Sequence, residues 1–292
     1  MTSGMEIIAR SMSVATKGSP GGKPFLHGNA WQYHPRSDRH SKIACWALMF
    51  DLLGECELLR THVAAGRAAI GINHTMRDFA RNRAKNLDLV VCRGGAQRAK
   101  LKGRPETFAE LVASYTIVLS PAERASLALL PDAPLAMPST VLMALEAKAC
   151  MTEFGKARPR LYDELNSSHL TIHGDTNGAI AAGFALVNGA ETFISPLRNP
   201  WPLGSHATIV TAHRQPRDLR SVAAKLTELP RRSRPGEEGF DALAIGVINC
   251  ANDGSPVSVR RSATGRDYPE IYDYDQTVGR LAHIYATRFS SI

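Results

Sequence analysis

Val141-Leu142-Met143-Ala144-Leu145-Glu146-Ala147-Lys148-Ala149-Cys150 is an apolar run interrupted by one carboxylate and one ammonium group, two residues apart. The run predicts a buried strand from Thr140 to Met151. Successive side chains of a strand point to opposite faces, so Glu146 and Lys148 share one face. Burying both charges costs several kcal/mol unless a partner or a metal compensates. A Glu-x-Lys tripeptide by itself carries little weight; the apolar strand around it is what gives it meaning. Read structurally, the same pair is an ion pair near a strand end.

Working outward, Asn86-Leu87-Asp88-Leu89-Val90-Val91-Cys92 reads as a second buried strand, closed by Gly94-Gly95, and Asp88 is its lone charge. Ile43, Ala44, Trp46, Ala47, Phe50 and Leu53 recur at helical spacing after Ser41, an expected N-cap, with Gly54 at the far end. A second amphipathic stretch precedes Gly66. Residues 106–118 and 121–130 are expected to be helical, the latter opened by the capping-box sequence Ser120-Pro121-Ala122-Glu123. Further helices are expected over 157–168, with Pro159 in the first turn, over 217–229 and over 274–288. Strands are expected over 180–187 and 242–249. Helices interleaved with strands imply an α/β fold with a mixed central sheet flanked by helices. Residues 1–40 lack sustained periodicity and read as an N-terminal arm, leaving 41–292 as a single domain.

With the two charged strands in hand, the chain resembles the PD-(D/E)xK nuclease superfamily, which includes most type II restriction endonucleases. In that family a strand bearing an Asp leads into the strand bearing Glu-x-Lys. The resemblance implies a restriction-endonuclease-like core in which Asp88, Glu146 and the Ala147 carbonyl hold Mg²⁺ and Lys148 orients the attacking water. Asp132, in Pro131-Asp132, is the alternative first acid because it matches the literal spelling of the motif. Pro134 and Pro138 make the stretch after it a poor strand, so Asp88 is preferred, which makes 93–139 an insertion in the core. A further acid from the first helix would be Glu55 or Glu57. The implied activity is Mg²⁺-dependent endonucleolytic hydrolysis of double-stranded DNA, leaving a 5′-phosphate, in a restriction or defence system. A homodimer and a cognate methyltransferase are the implied partners.

The charge pattern agrees with a polyanionic partner. The 292 residues carry 35 basic and 27 acidic side chains, net +8. Arg77, Arg81, Arg83, Lys85, Arg93, Arg98, Lys100, Lys102 and Arg104 face only Asp78 and Asp88 in the same stretch. Arg81, Arg83, Lys85 and Arg93 around the Asp88 strand, and Lys156, Arg158 and Arg160 after the Glu-x-Lys strand, are the expected DNA contacts. The loop arginines Arg231, Arg232 and Arg234, and the pair Arg260-Arg261, are weaker candidates. A non-catalytic DNA-binding regulator and a structure-specific or RNA nuclease on the same fold remain the alternatives.

Other chemistry is disfavoured. Cys45, Cys56, Cys92, Cys150 and Cys250 are odd in number and form no Cys-x-x-Cys, so buried free thiols in a reducing cytoplasm are expected. His169, His173, His206 and His213 lack the companions of a zinc site. Gly18-Ser19-Pro20-Gly21-Gly22-Lys23-Pro24 has the wrong glycine spacing for a P-loop. No apolar run suits a signal peptide or a membrane span.

Overall fold

A computed structural model describes residues 3–94, 103–260 and 267–292. Gly95, Arg98, Lys100, Lys102 and Arg261, named above, lie outside the described residues. The chain runs through α1 (Gly4–Ser13), α2 (Arg39–Glu55), α3 (Glu57–Ala64), β1 (Ala68–Asp78), β2 (Arg83–Arg93), α4 (Leu111–Ser114), α5 (Pro121–Leu129) and β3 (Val141–Cys150). It continues through α6 (Phe154–Asp175), β4 (Ile180–Asn188), β5 (Thr192–Ile194), β6 (Val210–Ala212), α7 (Arg217–Thr227), β7 (Ala242–Asn249), β8 (Ser258–Val259) and α8 (Tyr274–Arg288).

Six strands form one mixed sheet in the order β1-β2-β3-β4-β7-β8, and β5 and β6 make a separate two-stranded ribbon. Neighbours β1–β2 and β2–β3 are antiparallel, β3–β4 and β4–β7 are parallel, and β7–β8 is antiparallel. Parallel neighbours need crossovers, which α6 and the segment containing α7 supply. The central strands read as apolar runs rather than alternations because both their faces are covered. Every residue of β4 is buried.

One face packs on α1, α2 and α8 through Ile7, Ile8, Trp46, Leu48, Leu281 and Tyr285. The other packs on α6 and α7 through Leu161, Leu165, Leu219 and Val222. The protein is thus an α/β fold of three layers, helices flanking the mixed sheet. Its sequence makes α2 unusual: Ile43 to Leu53 is buried without a break. A helix apolar all round must lie inside, and α2 is enclosed by the sheet, α1 and α8. No described helix is long and apolar enough to cross a membrane. All five cysteines are buried and unpaired.

Several expectations need correction. The helix α2 begins at Arg39 after Asp38, so Ser41 is not its N-cap, and α6 begins at Phe154, which puts Pro159 inside the helix rather than in its first turn. Residues 1–40 are not a loose arm: α1 buries Ile7, Ile8 and Met12, and Asp51 of α2 accepts hydrogen bonds from the backbone of Ser3 and Gly4 at 3.0 and 2.7 Å. The helix expected over 106–118 shrinks to α4, because Thr107 bridges Pro134 in extended form and Thr116 takes φ 55°. The strand β1 was not anticipated; its Ile70, Ile72, His74 and Met76 do alternate, but Gly71 and the polar residues between them mask the pattern. The segment from Gly94 to Thr140 does run between the antiparallel strands β2 and β3. It returns to the sheet with Leu135 bridged to Ile70 of β1.

Candidate active site

The site lies where β2 and β3 part. Their ladder pairs Leu89 with Leu145 and stops there. At the next position Asp88 uses its side chain instead: Oδ2 accepts the Ala147 backbone N–H at 3.0 Å. On the other edge of β2, the β1 register skips Asn73, which takes φ 49° opposite Asp88. Such local irregularities re-aim a strand side chain. The first turn of α2 closes over it, with Ser41 Oγ 3.1 Å from Asp88 Oδ1 and 2.9 Å from the Asp38 carbonyl. One hydroxyl proton serves one of these acceptors at a time.

Glu146 is 0% exposed. Lys148 Nζ lies 2.6 Å from its Oε1, and Lys85 Nζ lies 3.8 Å from the same atom. Neither carboxylate oxygen accepts a well-directed hydrogen bond. Burial, aided by the charge of Asp88, pushes the Glu146 carboxyl up to about 7. Burial likewise holds Asp88 above the usual carboxylate range, although Lys148, the Ala147 N–H and Ser41 pull it back. Burial alone would lower the Lys148 ammonium, but Glu146 and Asp88 outweigh it and raise the group above its ordinary value. Lys148 is therefore a protonated donor at neutral pH rather than a base. Lys85 falls below its ordinary value because burial outweighs the attraction of Glu146. Its Nζ donates to the Glu164 carbonyl of α6.

Asp88, Ala147 and Lys148 open onto a cleft of about 590 Å³. Its walls are residues 33–41, the first turns of α6 and residues 193–198. Of the expected DNA contacts, Lys156 and Arg160 line the cleft, and Lys85 reaches the site from beneath. The others do not gather there. Arg81 is taken up by Asp78 at 3.3 Å and Glu238 at 3.0 Å. Arg158 donates to Ser221 of α7. Arg83 is exposed beside the β1–β2 turn, and Arg93 stands at the opposite end of β2, each about 17 Å along the strand from Asp88.

Asp132 is not brought to Glu146. It is exposed, and its Oδ1 accepts the Ala109 backbone N–H at 3.1 Å, just before α4. Glu55 ends α2 and Glu57 begins α3, about 20 Å along the helix from Ser41. The histidines serve packing. His173 contacts the Gly239 carbonyl at 2.9 Å, His169 contacts Asn166 at 2.9 Å, and His213 bridges Thr152 and the Ala190 carbonyl. Arg232 is buried against Asp241 at 2.9 Å, so it is a structural cation rather than a surface contact.

Among the described residues no cluster of three or more His, Cys, Asp or Glu side chains could hold a metal. The site supplies two carboxylates. A hard cation such as Mg²⁺ takes one or two protein carboxylates and completes its shell with water and phosphate. Glu146 Oε2, buried without a hydrogen-bond partner beside Asp88, suits that donor set. Residues that reading the sequence missed are Tyr33, Arg36, His40 and Arg198 on the cleft walls. They sit in irregular segments where no periodicity marks them. Compared with models of protein families, with curated proteins and with solved structures, the chain matches none of them.

Proposed function

We propose that this protein is a metal-dependent phosphodiester hydrolase acting on DNA. The observation that carries the reading is Glu146: fully buried, held at Oε1 by Lys148 alone, without a hydrogen-bond partner at Oε2, and set beside the half-buried Asp88 carboxylate and a second lysine, Lys85. A purely structural role would leave that carboxylate better satisfied, since buried polar groups are ordinarily hydrogen-bonded.

Asp88, Glu146 and the Ala147 carbonyl would hold Mg²⁺. When bound, such an ion lowers the pKa of a water and offsets charge developing on phosphate. Lys148, protonated and 2.6 Å from Glu146, offers a directed cation to a phosphate oxygen or to the attacking water. Ser41 and the Ala147 N–H fix the Asp88 carboxylate in one orientation. Lys85 supplies a second positive charge beneath Glu146. Lys156 and Arg160 on the cleft wall favour approach of a phosphate backbone.

The test is hydrolysis of DNA with Mg²⁺ or with EDTA by the wild type and by Asp88→Ala, Glu146→Ala, Lys148→Ala and Asp132→Ala. The first three substitutions are expected to reduce the rate about 100-fold or more, and Asp132→Ala to leave it within about twofold. DNA binding without cleavage, indifferent to metal and to all four substitutions, would instead identify a non-catalytic DNA-binding protein.

A further inference from the structure

The cleft above Asp88 and Lys148 lies between two walls that hydrogen bonds tie together. Its first wall, residues 33–41, is anchored from behind. Gln32 Nε2 donates to the carbonyls of Ser13 and Ser255 at 3.2 and 2.7 Å, and Arg39 donates to those of Val14 and Ser11 at 3.0 and 2.7 Å. The opposite wall, residues 193–198, is tied to the first by one buried side chain. Asn252 Oδ1 accepts the Tyr33 N–H at 2.9 Å, while its Nδ2 donates to the Tyr33 carbonyl at 3.0 Å and to the Ile194 carbonyl at 2.8 Å. Tyr33 also meets Phe193 edge-on, ring centroids 6.2 Å apart. These contacts join the two walls directly and oppose their separation.

About 590 Å³ is the volume of a pocket for one drug-sized ligand, roughly one or two nucleotides. A duplex that delivered a phosphate to Asp88 would carry its second strand and its stacked pairs into the same walls. An unpaired strand can bend a single phosphate inward and splay its bases. The cleft is dressed for such a chain. Arg36, Lys156 and Arg198 are exposed around it and form no ion pair among the described residues. Leu197, 56% exposed, places an apolar surface beside them. Cations that track the backbone are one half of the usual single-strand site, and Leu197 offers a base an apolar contact where an aromatic ring is more common.

We infer that the cleft takes an unpaired strand of nucleic acid, its phosphate directed to Asp88, Glu146 and Lys148, and excludes intact duplex. The inference rests on the hydrolase reading of this site and departs from the duplex substrate expected from the sequence.

The experiment measures fluorescence anisotropy of a labelled oligonucleotide, alone and annealed as a blunt duplex, with full-length protein in EDTA. Mg²⁺-dependent hydrolysis of the same two substrates is followed in parallel. The single strand is expected to bind at least about tenfold tighter and to be the strand cut. Arg36→Ala and Arg198→Ala should each weaken its binding about three- to tenfold and flatten the salt dependence. Arg124→Ala, an exposed charge on α5 remote from the cleft, should not. Mg²⁺-dependent cleavage of blunt duplex at a comparable rate would overturn the strand preference and leave the hydrolase standing. Selective single-strand binding, sensitive to Arg36 and Arg198 but without cleavage by any divalent ion, would uphold the cleft assignment and overturn the hydrolase. Failure to bind either form overturns both.

Discussion

Replacing Glu146 with Gln should stabilise the metal-free protein at alkaline pH and, on the proposed hydrolase reading, abolish cleavage. In the folded chain the carboxyl is pushed from its ordinary 4.5 to about 7, first by burial and then by Asp88. The folded state therefore holds the proton more tightly than the unfolded state does. The stability this contributes is complete below pH 4.5 and is lost as pH rises through about 7. The gap between the two values corresponds to about 3 kcal/mol. A glutamine stays neutral and escapes that loss. It also withdraws a charge partner from Lys148, whose side chain is 26% exposed and still near Asp88, an offset of about 1 kcal/mol. The net gain at pH 8 is about 2 kcal/mol, or roughly 4 °C in Tm for a chain of this size. Calorimetric melting of both proteins in EDTA at pH 4 and pH 8 measures it. The advantage should appear at pH 8 and vanish at pH 4; on the proposed Mg²⁺ site it should also shrink when the ion is added, since the wild type alone would gain from it. A glutamine variant that melts no higher than wild type at pH 8 refutes the claim that the lysines compensate the buried Glu146 charge only in part.

Other substitutions probe the surroundings. Ser41→Ala removes the hydroxyl 3.1 Å from Asp88 and should lower kcat about fivefold, about 1 kcal/mol, with KM unchanged; an unaltered kcat argues against a positioning role. The His40 imidazole, on the cleft wall, is held down at about 4 by burial and then by Lys148. NMR should therefore show it neutral and untitrated from pH 5 to 8, and a transition in that range contradicts its placement. Asp241→Ala strips Arg232, 1% exposed, of its carboxylate and should cost about 3–5 kcal/mol in denaturant unfolding. A loss below about 1 kcal/mol would show that the arginine finds water.

Much of the architecture was legible because apolar runs and helical spacing report burial directly. The strands around Glu146 and Asp88, β4, β7 and α8 stand where their patterns put them, and the Ser120 capping box is formed in full. What escaped was governed by tertiary context. The helix α1 contains Ser11 and Ser13 among its apolar residues, and Asp51, forty-seven positions beyond Gly4, secures its start. The strand β1 takes its regularity from pairing with β2, along ten residue pairs, rather than from its own composition.

The two candidate first acids separate the kinds of information a sequence holds. Asp132 matches the written spacing of a motif, yet spacing along the chain has no meaning once a segment such as 94–140 intervenes between paired strands. Asp88 is marked by a physical anomaly, the one charge in the run Asn86–Cys92, whose Leu87, Leu89, Val90 and Val91 are all buried. Register does the rest: antiparallel pairing of Leu89 with Leu145 carries Asp88 next to the Glu146 level whatever the length of the connection. A carboxylate there must take an N–H from the partner strand, and it takes that of Ala147. The backbone ladder ends at the same level, and Glu146 is left with Lys148 at one oxygen and no hydrogen-bond partner at the other. The cost of that buried, partly satisfied carboxylate is spread over the apolar layers on both sides of the sheet, which hold β2 and β3 in place while their ends remain apart.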